Sequence, residues 1–392
     1  MKKVAFIDGD INIRYIESMI IPDIQRIGGV WSVSNNLVIP MIERLPDAMT
    51  HATLCTKIFL EYVNCETELF FIDIWHANES KASLNNLLLA LHWCFEHKID
   101  LVNLSIGTTS VLDVPCIFNV INKLLAENII IVAACSNDNK LTFPASFDNV
   151  ISVKLIENKG KKAGWIFREN SIDRIDVYGY IENDAIEHNG LHYDLSCGNS
   201  LVTPMISAKI CNLLSEGHDS LKKIRQKLKE TSDMHCTQQH EDIYNKYFEE
   251  NIEIPIILIL TDNANRNEIH KLAEKILLKF SECHYSGICL SEQAKTNMEE
   301  KTLNLMDFNQ YHPLKKLKFY AHYCRVDYLL VESSKTFLFE NFSINDFDLI
   351  IHLPQQSFHE KKNENLQWIE FSENEGFDIF FDKIYTSLSQ KY

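Results

Sequence analysis

Two hydrophobic periods alternate along this chain. Five short runs rich in branched and aromatic residues predict strands: Lys3–Asp8 (KVAFID), Glu68–Trp75 (ELFFIDIW), Asp100–Gly107 (DLVNLSIG), Asn128–Cys135 (NIIIVAAC) and Asn149–Leu155 (NVISVKL). Between them the apolar positions shift to helical spacing. Leu84, Leu87, Leu88, Leu91 and Phe95 follow Ser83, a residue suited to an N-cap, and Ile117, Val120, Ile121 and Leu124 repeat the pattern. Strands separated by helices predict a parallel sheet covered on both faces, hence an α/β fold. The segment SLKKIRQKLKE closes this half, with Leu221, Ile224 and Leu228 on one face and its lysines on a solvated one.

A second series begins at Ile254–Leu260 (IPIILIL) and continues through a helix whose apolar face is Ile269, Leu272, Ala273, Ile276, Leu277 and Phe280. Strands are predicted at HYSGICL, VDYLLVE, FDLIIHL and LQWIEF, and a last helix near FDIFFDKIYTSL. The predicted organisation is a domain over residues 1–232, a polar linker over 233–251, and a smaller α/β, Rossmann-like domain over 252–392 with a possible substrate- or partner-recognition role.

Composition narrows the function. A hydrophobic fraction of 46% and a charged fraction of 23% describe an ordinary globular protein. A net charge of -16 excludes general nucleic-acid binding, which needs a basic footprint to neutralise phosphates. No apolar run reaches the roughly 18 residues a membrane helix requires. The apolar run after the two N-terminal lysines breaks at Asp8, which reads as a strand and not as a signal peptide. Eleven cysteines without regular spacing predict free thiols in a reducing compartment, so a cytoplasmic location is expected. His235, Cys236 and His240 in the linker lack a second ligand pair, and no metal is expected there. The turn TDNANRNEIHK after the strand at 254–260 has no glycine for a phosphate cradle, so no nucleotide cofactor is expected.

Functional groups of α/β sheets gather at the carboxyl ends of strands. Asp8 ends the first strand, His51 stands in MTHATLCTKIF where polar residues give way to an apolar helix, and Ser200 heads SLVTPMISAKICNLL. Each alone has an ordinary explanation: Asp-Gly is a common turn, a histidine near a helix start is usually structural, and Ser200 suits a helix cap. As a set they have the chemistry of nucleophilic catalysis. A serine needs a base to take its proton, and the imidazole needs a carboxylate to fix its tautomer. Asn137, just beyond a strand, has a side-chain amide suited to donating to an oxyanion.

Five blocks in order give this half a resemblance to the subtilases, the subtilisin-like serine proteases. VAFIDGD resembles the strand carrying the catalytic aspartate, THATLCT the histidine helix, and DLVNLSIG the strand that pairs with bound peptide. IIIVAACSNDNKLTFPASFDNVISV resembles the oxyanion-asparagine block, and GNSLVTPMISAKICNLL the serine helix with its proline. The resemblance implies a subtilisin-like sheet with Asp8 as orienter, His51 as general base, Ser200 as nucleophile and Asn137 as oxyanion donor. It implies substrate contacts at Ser105, Ile106 and Gly107, by β-augmentation, and at Ala134, Cys135 and Ser136. Departures are Gly9-Asp10 where Ser/Thr-Gly is usual, Ala52 and Ser136 in place of glycines, and Asn199 in place of threonine. A side chain at Ser136 should narrow the pocket for the residue before the cut bond.

The first catalytic strand begins almost at Met1, without room for a signal peptide or pro-domain, from which a selective enzyme is expected. The second unit is loosely similar to degenerate α/β domains of bacterial peptide-maturation systems. The leading expectation is a cytoplasmic serine endopeptidase that removes the leader of a ribosomally made precursor peptide, without cofactor, metal, nucleic acid or membrane partner. The alternatives are a general intracellular protease and an inactive subtilase fold used as a peptide-binding module. Oligomeric state and calcium use stay open.

Overall fold

The run KVAFID becomes β1 (Lys2–Asp8), an inner strand of a nine-stranded sheet. The computed structural model describes residues 1–41, 48–75, 82–157, 162–169, 171–182, 185–188, 191–194, 198–233, 247–248, 251–260, 266–292, 302–304, 312–324, 326–352, 367–371 and 376–390. It divides into two units, Met1–Thr109 with Cys116–Gln238, and Ser110–Pro115 with Gln239–Tyr392.

The strands of the first unit are β1, β2 (Gln25–Ser34), β3 (Leu37–Pro40), β4 (Thr67–Asp73), β5 (Leu101–Leu104), β6 (Ile130–Ala134), β7 (Ile151–Leu155), β8 (Gly164–Phe167) and β9 (Val177–Tyr180). They lie in the order β3-β2-β4-β1-β5-β6-β7-β9-β8. The two edge strands pair antiparallel, β3 on β2 and β8 on β9, and the inner pairings are parallel. A separate antiparallel pair, β10 (Ala185–His188) and β11 (Leu191–Asp194), follows β9 in the chain. From β1 the chain goes out to β2 and the edge strand β3, returns to β4 between β2 and β1, then crosses to β5 on the other side. The carboxyl ends of β1 and β5 therefore flank a topological switch point, where α/β sheets form their crevices.

Both faces of this sheet are covered, which is why its inner strands are apolar without interruption. Val4 and Phe6 of β1, with Leu69, Phe71, Leu101, Ile130 and Ile151, face a core shared with α1 (Ile13–Glu17), α2 (His51–Tyr62), α5 (Asn199–Ser215) and α6 (Leu221–Glu230). Phe6 meets Phe59 of α2 edge-on, with ring centroids 5.3 Å apart. On the opposite face α3 (Leu84–Glu96) brings Trp93 against Phe70 and Trp31; the predicted Ile117, Val120, Ile121 and Leu124 stripe lies buried on α4 (Val114–Ala126). Ser83 caps α3 as predicted, accepting from the Asn86 N–H at 3.1 Å, a contact worth about 1 kcal/mol. In α6, Ile224 and Leu228 are buried and Leu221 packs beside them, while Lys222, Lys223 and Lys229 are exposed.

The second unit is a six-stranded, wholly parallel sheet in the order β14-β13-β15-β12-β16-β17. Its strands are β12 (Ile256–Leu260), β13 (Gly287–Ser291), β14 (Thr302–Asn304), β15 (Tyr328–Ser333), β16 (Leu349–His352) and β17 (Gln367–Glu370). The helix Arg266–Glu282 buries the predicted stripe Ile269, Leu272, Ala273, Ile276, Leu277 and Phe280 in a core with the helix Phe377–Ser389. Residues 261–265 of the glycine-free turn, and His235, Cys236 and His240, lie outside the described residues. At the two ends of the predicted linker, Asp233 accepts from the Tyr180 hydroxyl at 2.6 Å, and Phe248 packs against Phe319. Among the described residues no helix is long and apolar enough to cross a membrane.

Candidate active site

Asp8 is the last residue of β1, and its carboxylate is buried. The Gly9 N–H donates to its Oδ1 at 2.8 Å, fixing the carboxylate's rotation. Gly9, where the family has a larger residue, leaves room for Trp75: a Cβ there would stand 3.3 Å from the indole Cδ1. The loop beyond Asp8 is tied to the head of α2. Thr50, the N-cap, donates to the Asp10 carbonyl at 2.7 Å, and Thr53 accepts from the Asn12 N–H at 2.8 Å. His51 is the first residue of α2 and turns its imidazole toward Asp8.

The geometry fixes the tautomer. His51 Nδ1 lies 2.8 Å from Asp8 Oδ2 and 3.0 Å from Oδ1. A carboxylate only accepts, so Nδ1 carries the proton and Nε2 keeps its lone pair. Ser200 Oγ stands 2.8 Å from Nε2 and donates to it. Asp8, His51 and Ser200, 43 and 149 residues apart in sequence, thus form one hydrogen-bonded line. Burial works against charging the imidazole, but the neighbouring Cys55 sulfur and the Asp8 carboxylate outweigh it and His51 is raised above its usual 6.5. Burial also holds Cys55 as an uncharged thiol, so the upward push falls to Asp8.

Ser200 is not itself the helix cap. Gly198 holds that position, and Ser200 is the second residue of α5. A Cβ on Gly198 would come within 3.3 Å of Ser200 Oγ, so the glycine keeps the nucleophile's approach clear. Pro204 explains a further feature. It lacks an N–H, so the Ser200 carbonyl one turn earlier has no helical donor. The Cys55 thiol donates to that carbonyl at 3.5 Å, and Cys55 Sγ also lies 3.8 Å from His51 Nδ1 and 3.6 Å from Ser105 Oγ. Cys55 is not among the predicted site residues. The available signal was its place four residues after His51, on the same helix face.

Asn199 is buried and fully engaged. Its Nδ2 donates to the carbonyls of Cys135 (3.1 Å) and Ser136 (2.9 Å), and its Oδ1 accepts from the Leu155 N–H at 2.8 Å. Its backbone N–H donates to Asn137 Oδ1 at 3.0 Å. With that oxygen occupied, the exposed Asn137 amide has its Nδ2 donor left over among the described residues. The bond that aims Asn137 comes from the Asn199 backbone, while the Asn199 side chain ties the head of α5 to the Cys135 and Ser136 carbonyls and to Leu155 of β7.

The predicted substrate-contact residues border this line. β5 stops at Leu104, whose partners are Ile7 of β1 and Ala133 of β6, each one residue short of its strand's end, so Ser105–Gly107 leave the sheet instead of extending it. Among the described residues their backbone makes no hydrogen bond to other backbone. Gly107 is required, because a Cβ would sit 2.6 Å from Thr142 Cγ2 and 2.8 Å from the Phe143 carbonyl oxygen. Ala134 ends β6, and desolvation raises the half-buried Cys135 thiol. Ser136 Oγ accepts from the Asp138 N–H at 3.1 Å, turning its hydroxyl into its own loop. Among the described residues, Asp8, His51 and Cys55 are the one trio of ion-ligating side chains with donor atoms within 4.8 Å of one another. Asp8 and His51 of this trio are engaged with each other in the hydrogen-bonded line.

The model of the subtilase family matches residues 51–267, more than half of the chain. The chain belongs to the subtilase family, the class of subtilisin-like serine endopeptidases. It is 25% identical over 146 residues to the minor extracellular protease Epr of Bacillus subtilis (strain 168), covering 36% of this chain and 22% of that protein. It is 27% identical over 164 residues to the subtilisin-like protease SBT6.1 of Arabidopsis thaliana, covering 38% of this chain and 16% of that protein. The matched stretch thus spans about a fifth of these relatives' own length. Among solved structures the nisin leader peptidase NisP from Lactococcus lactis is similar at 14% identity and a TM-score of 0.41, covering 58% of this chain and 81% of that one.

Proposed function

We propose that this protein is a serine endopeptidase in which Ser200 attacks the scissile carbonyl. His51 Nε2 takes the hydroxyl proton as the Oγ–C bond forms, and Asp8 stabilises the resulting imidazolium through Nδ1–H. Asn137 Nδ2 donates to the tetrahedral oxyanion, and the same His51 proton passes to the departing amine. Water repeats the sequence on the acyl-enzyme. The observation that carries this reading is the 2.8 Å contact between His51 Nε2 and Ser200 Oγ, with Asp8 on the other ring nitrogen.

The substrate is a peptide or protein, held in extended form beside Ser105–Gly107. The finer reading is removal of a leader from a precursor peptide. Two features support selectivity of that kind: Ser136 in place of a pocket-wall glycine, and a second α/β unit appended to the first. The test is covalent. A fluorophosphonate should add its mass to the peptide containing Ser200 and not to a Ser200→Ala variant. Cleavage of a random peptide library should show Gly or Ala before the cut bond. No label on the wild type would leave a peptide-binding module in place of an enzyme, and a profile dominated by large aromatics would remove the narrowed pocket.

The pH dependence has a definite sign. His51 must be neutral to accept the Ser200 proton, and its pKa is raised. The ratio kcat/KM should therefore rise with pH through a midpoint above the usual 6.5. A midpoint at or below that value would separate His51 from the proton transfer.

A further inference from the structure

At the opposite end of α2 from His51, the sulfurs of Cys65 and Cys211 lie 3.6 Å apart. Both are free thiols; Cys65 is half-buried and Cys211 has no exposed surface. They come from positions 146 residues apart, one in the turn after α2 and the other within α5. Their approach is not incidental to loose side chains. Asn212, the next residue of α5, accepts from the Asn64 N–H at 2.9 Å and donates to the Tyr62 carbonyl at 3.1 Å. Those two bonds hold the backbone beside each cysteine in register. Closing the sulfurs to the roughly 2.05 Å of a disulfide is a small movement, within reach of side-chain rotation.

We propose that Cys65 and Cys211 are a site of reversible oxidation, which small disulfides such as oxidised glutathione convert to a bond tying α2 to α5. Cys65 is the entry point, since it alone of the two reaches the surface. Its thiol is lowered to about 7, chiefly by the hydrogen bond from Cys211 and against the effect of burial. Cys211 is raised by the same bond and by its burial. The Cys65 thiolate attacks one sulfur of the small disulfide, forming a mixed disulfide and releasing one thiolate. Cys211 then attacks the Cys65 sulfur, and its proton goes to the second departing thiolate. In sum two protein S–H bonds are exchanged for one S–S bond, and two electrons pass to the small disulfide, which leaves as two thiols. The bond joins the helix that carries His51 to the helix that carries Ser200, at a distance from both side chains. It acts on the stability of the first unit and not on the hydrogen-bonded line.

The full chain is equilibrated with oxidised glutathione at about pH 8, where the Cys65 thiol is mostly ionised, then digested without reduction and mapped by mass spectrometry. The expected product is a peptide pair joined through Cys65 and Cys211, with a Tm about 5–10 °C above the reduced protein, as closing so long a loop implies. Dithiothreitol should erase both. A Cys65→Ser variant, altered at a half-exposed position, should show neither, as should Cys211→Ala. The exposed Cys116 and Cys283 will take up glutathione in every form and serve as an internal control. Glutathione retained on Cys65 without the cross-link, a bond to a different cysteine, or an unmoved Tm would each overturn the proposal.

Discussion

A Ser200→Ala variant is expected to lose about 10⁶-fold in kcat on a peptide substrate, the size of effect that this change has in subtilisin itself, from which the figure is taken. The loss is that large because the serine's oxygen becomes part of the covalent intermediate; nothing else in the line replaces it. Among the described residues the Ser200 hydroxyl bonds only His51, so its removal strands no buried group. KM and the thermal melt should stay near those of the parent. His51→Ala should cost as much, and the double variant no more than either, since the two residues act as a unit. Steady-state kinetics on a chromogenic peptide measures all three. A Ser200→Ala variant retaining a tenth of the activity would mean that the chemistry lies elsewhere.

How much of this site the chain discloses depends on the range of each interaction. The strands KVAFID and NIIIVAAC are legible because both faces of an inner parallel strand are buried, and that requirement is written locally as an unbroken apolar run. The triad is legible through three residue types in a chain order, since the chemistry dictates them. Strand ends are less legible. DLVNLSIG continues its apolar alternation past Leu104, but its pairing with β1 and β6 stops there, at Ile7 and Ala133, a fact that lies in other segments. Asn199 reads as a departure from the family pattern until its partners are known, and these lie 44 to 64 residues away. Cys55 has the same difficulty: the acceptor it fills exists because of Pro204, on another helix. The β2–β3 hairpin is not among the predicted elements, although Asn35 and Asn36, which both take positive φ (50° and 61°), are a residue type that tight turns favour.

Asp8→Asn should leave the fold intact and lower kcat at neutral pH by about 10⁴-fold. The reason is positional. Asp8 Oδ1 accepts from the Gly9 N–H at 2.8 Å, and an asparagine oxygen keeps that bond only by occupying the same place. Its NH₂ then stands where Oδ2 was, 2.8 Å from His51 Nδ1. Two donors cannot share that contact, so Nδ1 must give up its proton and Nε2 must carry one. The imidazole then faces Ser200 as a donor, and no lone pair remains to take the serine proton. The substrate cleft is untouched, so KM should change little while kcat falls. Fluorophosphonate labelling of Ser200 should slow in parallel, because it needs the same proton transfer without any peptide bound. A fall of less than tenfold in both measurements would place the orienting carboxylate somewhere other than Asp8.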